Sequence, residues 1–412
     1  MNQQRTVQEQ LQSVLRDVEP LEPFPIGLLE ARGCVLAEDV TAPWPLPAFD
    51  TASVDGYAVH ALQTSLASAD EPVVLRVIDS VRSGESASRS LVPGTAIRVS
   101  AGSALPEETE AVVPVEHTNG GDEEVAIFRA AKYGQFVRRQ GEDVQAGDVV
   151  ATAGTAIDAR LLGLLAAVGR AQIEARPRPR VVVVSIGSEL LEVGAPLEAG
   201  KLPDTNGVML AAAIAEVGGV AYRVGPISDE PEVIQRVLSE QLVRADLVIT
   251  TGGTSAISYD NLRQVFSKMG HVDYQRIAMY PGGAQGHGTI GEEDVPVLAL
   301  PSSPAAAFVA FEVFVRPVLR RMFGLDPYGS TLQRATMVNG FASPPEKQHY
   351  VRATCETDAL GRHVVTALEG QGSHLIASLA RTECLIVVPA ALTEIQPGDT
   401  VEVLLLNDVS VW

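Results

Sequence analysis

The sequence predicts a multidomain protein in which an α/β domain is combined with β-rich domains. The chain has 412 residues, which is enough for two to four domains. Apolar strands alternate with helices at about 178–327, a pattern typical of parallel βαβ units. Short β-prone runs separated by turns occupy about 72–150 and the region from 328 onward. These runs favour small β-domains or barrels.

The segments before the α/β domain follow in chain order. Apolar residues at helical spacing predict that the chain begins with an amphipathic helix, whose apolar face carries Val7, Leu11, Val14, Leu15 and Val18. Alternating prolines in APWPLPAFD, residues 42–50, force an extended connector. IDARLLGLLAAVG, residues 157–169, is predicted to be a helix that stops at glycine.

The carboxyl edge of the α/β sheet is where a ligand is expected. Three segments should meet there: SIGSEL at 185–190, TTGGTS at 250–255 and LPSSP at 300–304. Amides and hydroxyls in such segments can bind an oxyanion, although a tight glycine turn explains TTGGTS equally well. Glu189 is either a site carboxylate or a helix cap. The cofactor-binding candidates are Gly187, Thr250, Gly252, Gly253, Thr254, Ser255 and Ser302.

A glycine-rich segment, AMYPGGAQGHG at 278–288, is predicted to be a loop that approaches a ligand closely. A phosphate site normally adds a lysine or arginine, but this segment contains neither. Carboxylates beside glycine in FDTASVDGY and GEDV form either a hard-metal site or, more commonly, turns and caps. The seven histidines show no ligand spacing, so zinc is not expected.

Composition restricts the partners and the location. The net charge of −20 argues against nucleic acid and against an anionic membrane surface. Three scattered cysteines indicate a reducing cytoplasm. Neither a membrane-spanning apolar run nor a signal peptide is predicted. No P-loop and no GxSxG motif is present.

Motifs along the chain resemble those of the MoeA/gephyrin family. They are LPAFDTASVDGYAV, AGSALPEETEAVVPVEH, RRQGEDV, SIGSELLEVG with DTNGVML, TTGGTSAISYD, FVRPVLRRMFG and SLARTECLIVVP. The resemblance implies an elongated four-domain subunit that forms a homodimer. The predicted domains are I at 1–26, 46–52 and 141–177, II at 27–45 and 53–140, III at 178–327, and IV, a β-barrel, at 328–412.

The family's enzymes insert molybdate into adenylylated molybdopterin and release AMP, with magnesium assisting. The family positions retained here as catalytic candidates are Asp50, Asp55, Asp143, Glu189, Asp229 and Asp260. Glu189 and Asp229 are also the metal candidates. Other positions depart from the enzymes: Tyr280 and Gly283 replace two loop lysines, and Ser188 and Ser258 replace acidic residues. Ala306 replaces a serine.

These departures lead to the hypothesis that the transferase site has decayed, because the substrates are anions that need compensating charge. The expected protein is then a gephyrin-like scaffold without a cofactor, similar to actinobacterial cell-division adaptors. Such adaptors bind the tail of the tubulin-like FtsZ and a membrane receptor. Ile386, Val388 and Pro389 are predicted to form one wall of the peptide groove, unless they belong to a core strand. The alternative is an active molybdopterin molybdenumtransferase that uses magnesium, molybdopterin and AMP.

Overall fold

The computed structural model describes residues 4–253, 256–325 and 332–406, without the side chains of 256–259. The chain divides into two compact units. The first comprises residues 1–25, 33–37 and 174–412, and the second comprises 26–32 and 38–173. The predicted division into four domains is a finer one and stays a prediction. Among the described residues, no helix is long and apolar enough to cross a membrane.

The α/β domain of the first unit alternates strands and helices as predicted. Its elements are β1 (Arg180–Ile186), α1 (Thr205–Glu216), β2 (Val220–Ile227), α2 (Pro231–Leu242), β3 (Leu247–Gly252), α3 (Ala256–Met269), β4 (Gly270–Arg276), β5 (Ala284–Ile290), β6 (Val295–Leu300) and α4 (Pro304–Ala310). The strand order is β2-β1-β3-β6-β5-β4. The first four strands are parallel, and β5 and β4 add an antiparallel edge.

Each face of this sheet is buried under helices, as the apolar strands require. On one face, β1 and β3 pack against α1 and against Phe311 and Phe314. These phenylalanines lie in a π-helical turn, Phe311–Val315, which joins α4 to the Arg316–Met322 helix. The first helix, Val7–Arg16, joins the same core through Val7 and Val14, which confirms its predicted apolar face. The other sheet face packs against α2 and α3.

The prediction of a ligand-binding loop at 278–288 is wrong. Met279–Tyr280 is a short strand, only residues 281–283 turn, and β5 then continues the sheet. The glycines of β5 allow its neighbouring strand to approach. A Cβ on Gly286 would lie 2.8 Å from the Tyr274 ring, and one on Gly288 would lie 1.9 Å from the His271 carbonyl oxygen.

The C-terminal region forms the predicted closed β-barrel. Its strands are Gln333–Met337, Gln348–Thr357, His363–Ala367, Cys384–Val388 and Thr400–Leu405. Pairing between Gln348–Thr357 and Cys384–Val388 closes the ring. Smaller elements of this region are the strands Phe341–Ala342 and Glu394–Ile395 and the short helix Ile376–Leu379.

The second unit contains the predicted β-rich region. Its five-stranded sheet has the order Ala111–Pro114, Gly56–Val59, Thr95–Val99, Val73–Val81 and Glu124–Ile127. Two ribbons pair Val40–Thr41 with Val149–Ala151 and Thr51–Ala52 with Val137–Arg138. The predicted helix runs from Ala159 to Ala167, and Asp158 caps its start. The remaining short strands of the chain are Phe24–Gly27, Val35–Leu36, Gln172–Arg176, Leu190–Leu191 and Leu202–Pro203.

Candidate active site at the carboxyl edge of the α/β sheet

A cavity of about 370 Å³ opens where the parallel strands β1, β3 and β6 end. Its wall includes residues from all three predicted segments, represented by Glu189, Gly252 and Ser302. The start of α1 and two residues of the barrel region, His374 and Ile376, complete it. The position matches the expectation that ligands bind beyond the carboxyl ends of the strands.

Glycine is needed at the end of β3. Gly252 has a φ of +96°, and a Cβ there would lie 2.0 Å from the carbonyl oxygen of Ile186 on the neighbouring strand. Gly253 follows with a φ of +63°. Backbone packing therefore explains Gly252, which also lines the cavity. The candidates Thr254 and Ser255 lie outside the described residues.

The threonine that lines the cavity is Thr251 rather than the predicted Thr250. Successive side chains of a strand point to opposite sides, and Thr250 is fully buried. Its hydroxyl has no hydrogen-bond partner among the described residues. The Thr251 hydroxyl instead donates to the Pro301 carbonyl at 3.1 Å and accepts from Asn206 Nδ2 at 2.8 Å.

Asn206, which the sequence analysis missed, fixes the cavity floor. Its Nδ2 donates both to Thr251 Oγ1 and, at 2.7 Å, to the Ser302 carbonyl oxygen. This arrangement fixes the orientation of the amide. The side chain is only 8% exposed, and its Oδ1 has no partner within the described chain. An acceptor left unpaired in a cavity wall can receive a hydrogen from a ligand.

A buried ion network supports the start of α1. Asp204 caps this helix by accepting from the Gly207 amide at 2.9 Å. Its other oxygen accepts from Arg223, which also forms a double hydrogen bond with Glu192. Arg223 holds the pKa of the Glu192 carboxyl below its usual value. The network joins β2 to the segment between β1 and α1, which forms one side of the cavity.

The retained acidic residues of the first unit have different positions. Glu189 lines the cavity. Its carboxylate folds back over Gly187, and the carboxylate atoms lie 2.6 to 2.8 Å from the position that a Cβ on Gly187 would occupy. Asp229 accepts a hydrogen bond from Ser188 Oγ, while the Ser188 carbonyl accepts one from Lys201. Asp260 is exposed on α3 and is not part of the cavity wall.

The other three acidic candidates lie in the second unit and make local contacts there. Asp50 forms a salt bridge of 2.6 Å with Arg139, and Asp55 accepts from the Ala101 amide at 2.8 Å. Asp143 is exposed. In the described ranges, no three His, Cys, Asp or Glu residues are grouped to hold a metal ion.

A buried arginine holds the barrel loop that reaches the cavity. Arg352 is 2% exposed and donates to the carbonyl oxygens of Gly370 at 2.6 Å and Gly372 at 3.0 Å. Burial lowers its pKa, but a guanidinium stays charged in proteins. No carboxylate of the described chain pairs with it. The Ser373 carbonyl accepts from the Ala305 amide at 3.0 Å, which joins the loop to α4.

Two arginines of the α/β domain, Arg263 and Arg276, do not line the cavity. Arg263 lies over the Tyr274 ring, and Arg276 is exposed at the end of β4. Tyr280, one of the two residues predicted to replace a family lysine, packs edge-on against His349 with ring centroids 5.2 Å apart. Positive charge therefore comes near the cavity from Arg352, which lies more than 60 positions beyond the 278–288 segment.

The predicted groove wall is a core strand. Ile386 and Val388 are 0% and 1% exposed inside the barrel, and Pro389 alone is exposed. The first two side chains have no surface to offer a peptide. The alternative interpretation of this segment, a plain core strand, is the one that the structure shows.

Family models cover most of the chain. The MoeA N-terminal region (domains I and II) matches residues 5–169, a probable molybdopterin binding domain matches 182–321, and the MoeA C-terminal region (domain IV) matches 334–406. Molybdopterin molybdenumtransferase 1 of Mycobacterium tuberculosis is 35% identical to this chain. The match covers 98% of this chain and 99% of the M. tuberculosis protein. The chain belongs to the MoeA family.

Further relatives agree with this assignment. Molybdopterin molybdenumtransferase 2 of M. tuberculosis is 37% identical and covers 97% of this chain and 99% of its own. Two structures of the MoeA protein from Pyrococcus horikoshii superpose with TM-scores of 0.77 and 0.73 at 28% and 26% identity. Each covers 98% of this chain, and they cover 99% and 100% of their own chains.

These relatives overturn the scaffold hypothesis. Proteins that are similar over nearly their full length are named as transferases, and nothing among the comparisons supports a division adaptor. The prediction that the chain is not an enzyme is corrected with it. The hypothesis rested on one lysine-free segment and left out side chains from distant segments, such as His374 in the cavity wall and Arg352, which holds its loop.

Proposed function

We propose that this protein is a molybdopterin molybdenumtransferase, which inserts molybdate into adenylylated molybdopterin and releases AMP. The observation that carries the proposal is the similarity, over almost the whole chain, to relatives that bear this name. The cavity at the carboxyl edge of the sheet supports it, because this is where a nucleotide-like ligand binds an open α/β sheet. A homodimer and a cytoplasmic location remain predictions.

The cavity residues suit binding and orientation of a polar substrate. Asn206 Oδ1 is positioned to accept a hydrogen bond from a ligand amino or hydroxyl group, since its Nδ2 is occupied by Thr251 and Ser302. Such a fixed acceptor discriminates against ligands that lack the donor. Most of the catalytic effect in reactions of this kind comes from positioning and charge stabilisation.

Glu189 in the cavity wall and Asp229, which accepts from the adjacent Ser188, have the carboxylate oxygens that magnesium prefers and would be the residues to hold the ion. Magnesium commonly takes one or two carboxylates and fills its remaining positions with water and substrate phosphate. Two carboxylates are therefore sufficient on the protein side. When bound, the ion would offset negative charge on the substrate. Ser188, which donates to Asp229, orients that carboxylate.

The proposal is tested by incubating the purified chain with adenylylated molybdopterin, molybdate and magnesium and by measuring the AMP released. We expect molybdate-dependent release, and we expect Glu189→Gln to reduce it at least ~10-fold, the loss typical for one charged contact. Glu198→Gln is the matched control, because Glu198 is an exposed glutamate on the same segment outside the cavity wall. Absence of AMP release by folded wild-type protein would refute the proposal.

A further inference from the structure

The cavity wall contains one side chain that can carry positive charge. Among the described residues that line it, Glu189 and Asp204 are acidic and the others are uncharged, apart from His374. Asp204 is already neutralised by Arg223 at 2.9 Å. Within the described wall, His374 is therefore the one side chain that could offer an anionic ligand positive charge.

The backbone on both sides of His374 is fixed. Ser373 accepts from the Ala305 amide at 3.0 Å through its carbonyl oxygen, so the loop is joined to the start of α4. On either side, Arg352 donates to Gly372 at 3.0 Å and to Leu375 at 3.4 Å. A side chain on a loop held in this way is positioned before any ligand arrives, which reduces the entropy lost on binding.

The imidazole of His374 has room and free nitrogens. Its Cε1 and Nδ1 lie 3.0 and 3.3 Å from where a Cβ on Gly372 would be, so the ring folds over this glycine. The side chain is exposed. Neither ring nitrogen has a hydrogen-bond partner among the described residues, so both are available to a ligand.

We infer that His374 binds an oxyanion of the ligand in this cavity and replaces the positive charge that the loop lysines of the family supply. The inference rests on the proposed function only in its choice of ligand. The oxyanion is either the phosphate of the nucleotide part or molybdate, and both would accept hydrogen bonds from an imidazolium. Tyr280 and Gly283, at the lysine positions, provide no cation.

Isothermal titration calorimetry on the full chain tests the inference, with AMP and sodium molybdate titrated separately and sodium sulfate as a third anion. We expect His374→Gln to weaken binding of AMP, of molybdate or of both by ~10-fold, the usual effect of losing one charge-assisted hydrogen bond. The anion whose affinity falls identifies the source of the oxyanion. His374→Lys should keep the affinity within ~3-fold, because it retains a cation.

His271→Gln is the matched control, since His271 is an exposed histidine of the same unit on β4, outside the cavity wall. It should bind like wild type. The inference would be overturned if His374→Gln and wild type bound AMP and molybdate with equal affinity. It would also be overturned if wild type bound neither anion. The proposed function and the inference can fail independently. If the protein releases AMP but His374→Gln binds both anions as wild type does, the proposed function stands and the inference about His374 is wrong.

Discussion

The guanidinium of Arg223 forms a salt bridge of 2.9 Å with Asp204, a carboxylate that is only 1% exposed. Asp204 also accepts from the hydroxyl of Ser185 on β1 at 2.9 Å. One buried carboxylate thus links the first strand of the sheet, the start of α1 and the strand β2. Because α1 begins at the cavity, this pair stabilises the shape of the site.

We predict that Arg223→Met lowers the free energy of unfolding by about 3 kcal/mol, since it leaves a buried carboxylate without its cation. Urea unfolding followed by circular dichroism measures this change. Arg160→Met is the matched control: Arg160 pairs with Asp158 but is 93% exposed, so a change below about 1 kcal/mol is expected. Equal effects of the two substitutions would contradict this account of the network.

Gly252→Ala should disrupt the site. The added Cβ would lie 2.0 Å from the Ile186 carbonyl oxygen at a φ of +96°, so β1 and β3 would have to separate. We expect a loss of more than about 2 kcal/mol in unfolding free energy and loss of AMP binding by calorimetry. Gly194→Ala controls for backbone strain, because Gly194 has a φ of +91° with open space around it. It should cost only about 1 kcal/mol.

Arg352→Ala should detach the loop that carries His374. Three backbone carbonyls lose their donor. Each lost hydrogen bond costs about 1 kcal/mol or more, so the melting temperature should fall. Affinity for an anion should fall as well, because His374 is then no longer held. Differential scanning calorimetry and titration with AMP measure the two effects. Normal anion affinity in a folded Arg352→Ala protein would show that the loop does not need this anchor.

His349 should make the protein less stable in acid. Burial lowers the pKa of its imidazole from 6.5 to about 4. The unfolded chain therefore binds a proton at this imidazole more readily than the native protein does. The contribution of His349 to the free energy of unfolding is present above pH 6.5 and is lost as the pH falls towards 4. Between pH 7 and 4.5 the loss is roughly 2–3 kcal/mol.

Urea unfolding at both pH values checks this contribution, with His349→Phe as the test variant. Phenylalanine keeps a ring beside Tyr280 but cannot titrate, so the pH dependence should shrink by the stated amount. His271→Phe, at an exposed position, controls for the gain of an aromatic ring and should leave the pH dependence unchanged. An unaltered slope in His349→Phe would contradict the prediction.

Local patterns were sufficient to predict most elements of the fold. The apolar runs that become β1 and β3 are bounded by turn residues, and the periodic face of the first helix includes Val7 and Val14, which are buried. Gly252 was correctly placed at the edge of the sheet. The period of the apolar residues and the positions of glycine are local properties, so they can be read without the tertiary structure.

The site was harder to predict because its important contacts are distant in sequence. His374 reaches the cavity from the barrel region, and Asn206 looks like an ordinary residue at a helix start. The glycines of β5 were misinterpreted because a glycine that admits a neighbouring strand looks the same as one that admits a ligand. Arg352 lies on a strand of the barrel, so the lack of lysine at 278–288 gives no information about it.

Complementation of a strain that lacks its molybdenumtransferase tests the central claim most directly. The account predicts that the full chain restores molybdenum-dependent nitrate reduction in such a strain, while Glu189→Gln restores it poorly and Glu198→Gln fully. If the chain is expressed and folded but restores no activity, even with added molybdate, it is not the transferase that its relatives and its cavity indicate.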